Sequence, residues 1–278
     1  TGRPRLLMLR VTAHANVLTG DNYFISADYF GVTRSLLEKA YGCPVMITQG
    51  SAGNVRPRYQ QSDAEYLEIH ARDASMEKVS PDTVKRRFDE SMEALDKMAA
   101  EILGAVDIVI KDLKPRTIDR IDMFSENAVC SSEVPAFAHA FEIADEARRE
   151  AAIDGSRWLA EVERLHQSKV HQQEADVEIQ YFIVNNGCWC GTASEAMCEI
   201  ALAISAKADH GLIYFGGYTN GCNSYLPTAE EFRKGGFEVL WAFLLYYQYH
   251  GRVMPFHEDT ADRLVEMVAH QWNTYHLT

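Results

Sequence analysis

Thr12-Ala13-His14-Ala15-Asn16-Val17-Leu18 runs into Asp21-Asn22-Tyr23-Phe24-Ile25-Ser26-Ala27-Asp28, and Pro44-Val45-Met46-Ile47 runs into Gln49-Gly50-Ser51-Ala52-Gly53-Asn54-Val55-Arg56-Pro57-Arg58. An apolar run, Leu6-Leu7-Met8-Leu9-Arg10-Val11, precedes the first stretch and predicts a buried strand over 6–12. Ser26 can cap a helix over 27–41, with Phe30, Leu36, Leu37 and Ala40 spaced along one apolar face. Gly42 and Pro44 end it, and 45–48 reads as the next strand. Strand, helix, strand, with polar loops at the strand ends, is the grammar of an α/β enzyme. His14 and the loop 49–58 are therefore the first places to look for chemistry.

The rest of the chain extends that pattern. Ser80-Pro81-Asp82 opens a helix to about 103, with Met92, Leu95, Met98, Ala99 and Ile102 inward and Gly104 as its stop. Residues 59–81 read as polar loop, 106–110 and 116–124 as strands. Two charged helices over 134–152 and 155–173 predict a solvated hairpin, with His139, His166 and His171 exposed. Val177, Ile179, Tyr181 and Ile183 alternate along a strand over 175–186, which Asn185-Asn186-Gly187 turns. A helix from Ser194-Glu195 to about 208, a strand over 212–215, a short helix capped by Thr228 and Glu231, and an amphipathic helix over 259–276 complete the order. No repeat and no Pro-, Gly- or Ser-rich linker interrupts it. The expected architecture is α/β: a mixed β-sheet core flanked by helices, in one catalytic domain.

Composition narrows the function classes. The chain has 278 residues, is 47% hydrophobic and carries a formal charge of −13, with the acid spread along its helices. Duplex nucleic acid needs a basic face, so it is an unexpected partner. No apolar run approaches the roughly 20 residues of a membrane helix, and no secretory signal opens the chain, so the expected compartment is cytoplasmic. Six cysteines in this length do not make a disulfide scaffold. Cys188-Trp189-Cys190 has no second pair at zinc-finger spacing and reads as packing.

Three residues stand where strands meet loops or helices: His14, Glu195 and Tyr225. A histidine nitrogen, a carboxylate and a tyrosinate oxygen are all zinc ligands in principle. Each has a plain alternative: a satisfied core histidine, a carboxylate at a helix N-terminus, a packed ring.

Four stretches together resemble the neutral/alkaline, non-lysosomal ceramidase family. They are Ala13-His14-Ala15-Asn16-Val17-Leu18 with Ile25-Ser26-Ala27-Asp28-Tyr29; Gln49-Gly50-Ser51-Ala52-Gly53-Asn54-Val55-Arg56-Pro57; Ser194-Glu195-Ala196-Met197-Cys198-Glu199; and Tyr218-Thr219-Asn220-Gly221-Cys222-Asn223-Ser224-Tyr225-Leu226-Pro227-Thr228. They occur in the family's order along nearly the whole chain. The resemblance implies a zinc (Zn2+) amidase in which His14, Glu195 and Tyr225 are metal ligands. It implies that residues 1–278 are the C-terminal portion of a ceramidase-like catalytic domain. The N-terminal portion, with a further zinc-binding histidine, is then absent from this chain and would come from an N-terminal segment or a second chain of the same precursor.

The departures bear on substrate. The family's catalytic serine position holds Arg56, which is no hydroxyl nucleophile but a two-pronged donor for a carboxylate. Ser194 stands where the family usually has glycine, and Cys222 where it usually has an aromatic residue. The expected function is a zinc-dependent hydrolase cleaving an amide-type bond in a small polar or acidic substrate rather than ceramide. Asn54, with the Gly53 backbone, would orient substrate or oxyanion, and Arg56 would read an acidic group. Two other readings stand beside it. Thr1 suits an N-terminal-nucleophile amidase released by proteolysis. Arg56 suits a family member that binds ligand without turnover. A homo-oligomer is compatible with either.

Overall fold

The computed structural model describes residues 4–18, 22, 24–58, 80–209 and 212–275. Thr1, Asp21, Tyr23, nearly all of the loop expected over 59–81, and 276–278 lie outside the described residues. Helices and mixed sheets both form, as the α/β reading expects. The contacts gather in two compact units: Thr1–Gln49 with Arg56–Thr117, and Gly50–Val55 with Ile118–Thr278.

In the first unit β1 (Leu7–Val11) pairs in parallel with β2 (Val45–Gln49), Leu7 opposite Val45 and Val11 opposite Gln49. A parallel pair needs a crossover, and α1 (Asp28–Tyr41) supplies it. Its inner face is the row Tyr29, Thr33 and Leu37, one turn apart, whereas Ala40 is exposed. Leu37 is inward as expected, whereas Thr33, a polar residue at the centre of the row, escapes a reading of apolar residues alone. Gly42 adopts φ 65°, and its N–H closes the helix on the Glu38 carbonyl at 2.9 Å.

α2 (Pro81–Val109) packs on α1 through Leu95 and Ala99. It runs straight through Gly104, so the strand expected over 106–110 is instead its last turn with a 3-10 turn, Ile110–Asp112. One interior glycine costs a helix only about 1 kcal/mol, too little to stop one already nucleated and packed. β1 and the last turns of α2 line an apolar groove of about 460 Å³ that includes Leu9, Val11, Ile102, Val106 and Leu113.

In the second unit β3 (Ile121–Glu133) and β4 (Gln172–Val184) run antiparallel. β4 turns at Asn185-Asn186 into β5 (Gly187–Thr192), which pairs in parallel with β7 (Ile213–Gly216). Val177, Ile179, Tyr181 and Ile183 are buried, as their alternation requires. α5 (Cys198–Lys207) and α8 (Thr260–Tyr275) cover that face with Ile200, Ile204, Leu264, Val268 and Trp272. Cys188 and Cys190 pack inside β5. β3 continues far beyond the expected 124, because its ladder with β4 holds Ser125, Asn127 and Ser132 in strand against their propensity.

The charged hairpin is α3 (Phe137–Ala151) and α4 (Ser156–Gln167). Only its outer faces are solvated. Ala140, Ile143 and Ala147 meet Trp158, Val162 and Leu165 in a second core with Leu244 and Val253. The Trp158 indole N–H donates to the Val253 carbonyl at 2.8 Å. α4 ends well short of 173, since 172 onward already belongs to β4. His139 and His171 are exposed, while His166 is half-buried with Nε2 2.8 Å from the Pro135 carbonyl. Thr228 caps α6 (Ala229–Lys234) as expected, accepting the Glu231 N–H at 3.3 Å. A π-helical turn (Phe237–Trp241) leads into α7 (Phe243–His250). Among the described residues no helix is long and apolar enough to cross a membrane.

Candidate functional site

Glu195 does not start a helix. It opens β6 (Glu195–Ala196), which pairs in parallel with β8 (Tyr225–Leu226), Glu195 opposite Tyr225. Backbone bonds extend the pairing: the Glu195 N–H reaches the Ser224 carbonyl at 2.9 Å, and the Met197 N–H reaches that of Leu226 at 3.2 Å. Two residues thirty apart in sequence are thus held side by side. Glu195 is 5% exposed and Tyr225 is 7% exposed.

Further donors close on the carboxylate. The Tyr218 hydroxyl donates to Glu195 Oε2 at 2.7 Å, and the Cys222 thiol stands 3.6 Å from Oε1. Burial and then the Glu195 charge push the Tyr225 phenol well above its ordinary range. Burial and the hydrogen bond to Glu195 do the same to Tyr218. Tyr246, whose ring stacks 6.4 Å from that of Tyr225, is raised to about 12 by burial and then by Glu195. The Cys222 thiol is also raised, first by burial. Every phenol here keeps its proton beside the carboxylate, and a cation among them would reverse that preference.

Two glycines let the backbone close around Glu195. A Cβ on Gly53 would stand 2.4 Å from the Glu195 carbonyl, and one on Gly217 would stand 2.5 Å from that of Ser194. The Gly53 N–H donates to the Ala196 carbonyl at 2.8 Å and the Tyr218 N–H to that of Ser194 at 3.2 Å. The loop beyond Gly217 holds Tyr218, Asn220 and Ser224 at positive φ, of 58°, 58° and 74°. Such backbone costs of order 1–3 kcal/mol per residue and collects at functional sites. Ser194 and Ser224, each one residue before an expected ligand, have buried hydroxyls without a partner among the described residues.

Asn54 is tied into the same unit. Its Oδ1 accepts the Cys198 N–H at 2.9 Å, and its Nδ2 donates to Glu199 at 2.8 Å. It therefore caps α5 from outside the helix and holds the loop 50–55 against the Glu195 segment. Arg56 is exposed.

His14 belongs to the first unit, and its neighbours are over-determined. The Ala13 carbonyl accepts both the Tyr29 hydroxyl and Gln49 Nε2, each at 2.8 Å. Asp28, at φ 50°, accepts the N–H groups of Val17, Leu18 and Tyr29 at 3.1, 2.9 and 2.7 Å. Ser26 Oγ accepts the Asp28 N–H at 3.0 Å. The segment from Ser26 to Tyr29 is thus the clamp on the His14 loop. His14 itself is half-buried.

Among the described residues no three His, Cys, Asp and Glu side chains gather as a metal site. The cluster in the second unit is instead one carboxylate with phenols and a thiol. Buried oxygen donors joined by sulfur suit zinc better than calcium or magnesium, so the chemistry of the residues fits the expected ion. Tyr218 and Cys222 were not singled out as site residues from sequence, though both lie in the stretch that carries Tyr225. Asp28, Tyr29 and Gln49 likewise lie beside His14 and its loop.

No family model and no curated protein sequence matches the chain. Solved structures do. The neutral ceramidase from Pseudomonas aeruginosa superposes with a TM-score of 0.54 at 15% identity, over 96% of this chain and 44% of that chain. A ceramidase complexed with C2 gives 0.56 at 14% identity, over 96% and 45%. At such identity the likeness is one of fold. This chain spans less than half the length of those ceramidase chains.

Proposed function

We propose that this chain is the greater part of the active centre of a zinc-dependent hydrolase that cleaves an amide-type bond in a small polar or acidic substrate. The observation that carries the reading is the pairing of buried Glu195 with Tyr225, with Tyr218 and Cys222 turned onto the same carboxylate. Glu195 and Tyr225 would hold the ion, and His14 stays the further ligand that the ceramidase resemblance implies. Zinc bound there supplies a Lewis acid that polarises a carbonyl and makes water a nucleophile at neutral pH.

The chain's own residues do the rest. Tyr218 fixes which way the Glu195 carboxylate turns. Gly53 and Gly217 allow the main chain to hold that strand from both sides. Asn54 anchors the loop beside it, and Arg56 presents a guanidinium fork to a substrate carboxylate. The position of Arg56, where the ceramidase family has serine, is what moves the substrate from ceramide toward an acidic amide. Because the chain spans less than half of the ceramidases it superposes on, a further segment or second polypeptide belongs to the working enzyme in this reading.

The test is hydrolysis of N-acyl amides with and without a carboxylate on the amine side. Arg56→Ala should raise KM for the carboxylate-bearing amides by about tenfold or more, the worth of a charge-assisted hydrogen bond, and leave neutral amides unchanged. Equal kinetics on both sets would refute the substrate assignment. Arg56 also favours one second reading, ligand binding without turnover. Full zinc occupancy with no hydrolysis across the panel would select it.

A further inference from the structure

We propose that Cys222 is a direct sulfur ligand of the metal held by Glu195 and Tyr225, and that its thiolate makes the site select zinc over magnesium, calcium and manganese. The inference rests on the zinc reading above and adds a ligand that the resemblance does not supply, since the family usually has an aromatic residue at this position.

Geometry carries it. Cys222 Sγ stands 3.6 Å from Glu195 Oε1. With Zn–S of about 2.3 Å and Zn–O of about 2.0 Å in a tetrahedron, a sulfur and an oxygen ligand lie about 3.5 Å apart. The two atoms already stand at the separation of two corners of one coordination sphere. Tyr218 engages the other oxygen, Oε2, at 2.7 Å, which turns Oε1 toward the thiol. The carboxylate belongs to a residue only 5% exposed, and the thiol meets it from an exposed residue at the mouth of the cluster.

The loop that carries Cys222 is fixed directly after it. The Asn223 N–H donates to the Ala193 carbonyl at 3.0 Å, and the Asn223 carbonyl accepts the buried Arg252 guanidinium at 3.0 Å. The next carbonyl, of Ser224, accepts the Glu195 N–H at 2.9 Å. These bonds hold the Cys222 main chain beside Glu195, within reach of its carboxylate. On binding, the sulfur–metal bond forms as the thiol proton passes to solvent. A soft sulfur donor raises affinity for zinc over the oxygen-seeking ions.

The purified full chain is loaded with cobalt(II) as a spectroscopic stand-in for zinc. The expected result is a near-ultraviolet sulfur-to-cobalt charge-transfer band that Cys222→Ser abolishes. Alkylation gives a second measurement on the unaltered protein. Cys222 is exposed, whereas Cys43, Cys130, Cys188 and Cys190 are buried and Cys198 is half-buried. Stoichiometric zinc should therefore protect Cys222 from iodoacetamide, as read by peptide mass. Cobalt bound without the band, or a band that survives in Cys222→Ser, overturns the ligand assignment while the zinc reading stands. Failure of the unaltered protein to bind either ion overturns both.

Discussion

Glu195 and Tyr225 are register partners in a two-residue parallel pairing, with the Ser224 carbonyl taking the Glu195 N–H at 2.9 Å. The fold's investment at this point exceeds what two short strands need. Gly53 and Gly217 are compatible with the closeness of the neighbouring backbone only because they lack a Cβ, and three non-glycine residues hold positive φ in the loop between β7 and β8. Local cost of this kind is kept where a particular arrangement of side chains is required.

Tyr218 positions the carboxylate through its bond to Oε2. Outer partners of metal ligands are typically worth about 10–100-fold in metal affinity. Tyr218→Phe should weaken zinc binding by that order in a chelator competition titration while leaving thermal stability nearly unchanged. Unaltered affinity would show that the Glu195 orientation does not depend on it.

Gly53 and Gly104 offer a paired test of backbone closeness. Ala at 53 drives a Cβ to within 2.4 Å of the Glu195 carbonyl, a backbone atom, and should destabilise by roughly 1–3 kcal/mol as overpacking does. Ala at 104 meets nothing within 4 Å and sits inside α2, so it should stabilise by about 0.5–1 kcal/mol. Denaturant midpoints of the two variants should move in opposite directions. A shift of the same sign would contradict the packing described for one of them.

Asp28 clamps the His14 loop through the Val17 and Leu18 N–H groups while holding φ 50°. Asp28→Ala loses the acceptor and leaves a Cβ residue in the left-handed region, at a cost of about 2–4 kcal/mol. Asp28→Asn keeps an acceptor and tolerates that φ, so it should cost clearly less. Hydrogen exchange at Val17 and Leu18 should rise much more in the alanine variant. Equal exchange in both would rule out the clamp.

His250 gives the protein a pH dependence with a definite sign. Burial, then the nearby Arg252 charge, lowers its pKa from 6.5 to about 4. Its Nδ1 accepts the Arg252 N–H at 3.1 Å, and its ring packs edge-on against Phe243. The unfolded chain therefore takes up the proton first. This contribution is fully present above pH 6.5 and is lost as the pH falls toward 4. His250→Gln keeps an acceptor without the titration, so its melting temperature should drop less between pH 7 and pH 4.5. An identical drop in both proteins would assign the acid loss elsewhere.

These residues also show what the sequence could tell. The alternation of Val177, Ile179, Tyr181 and Ile183, and the Thr228–Glu231 cap, are local patterns, and local patterns were legible. Gly104 misled because a weak local propensity was set against helix packing that only the folded chain reveals. A two-residue strand has no period to read, so the sequence around Glu195 reads as the start of the helix that follows it. Its pairing with Tyr225 is a contact between distant segments. Tyr218, Cys222 and Asp28 lay inside recognisable stretches, but their roles come from directions and distances that spacing does not encode.

Zinc content tests the central claim most directly. The full chain, dialysed against trace zinc and then against metal-free buffer, is measured by mass spectrometry of the metal alongside Glu195→Gln and Tyr225→Phe. About one zinc per chain in the unaltered protein, with marked loss in both variants, is the expected result. Zinc retained equally by all three, or by none, would contradict a metal centre built on Glu195 and Tyr225.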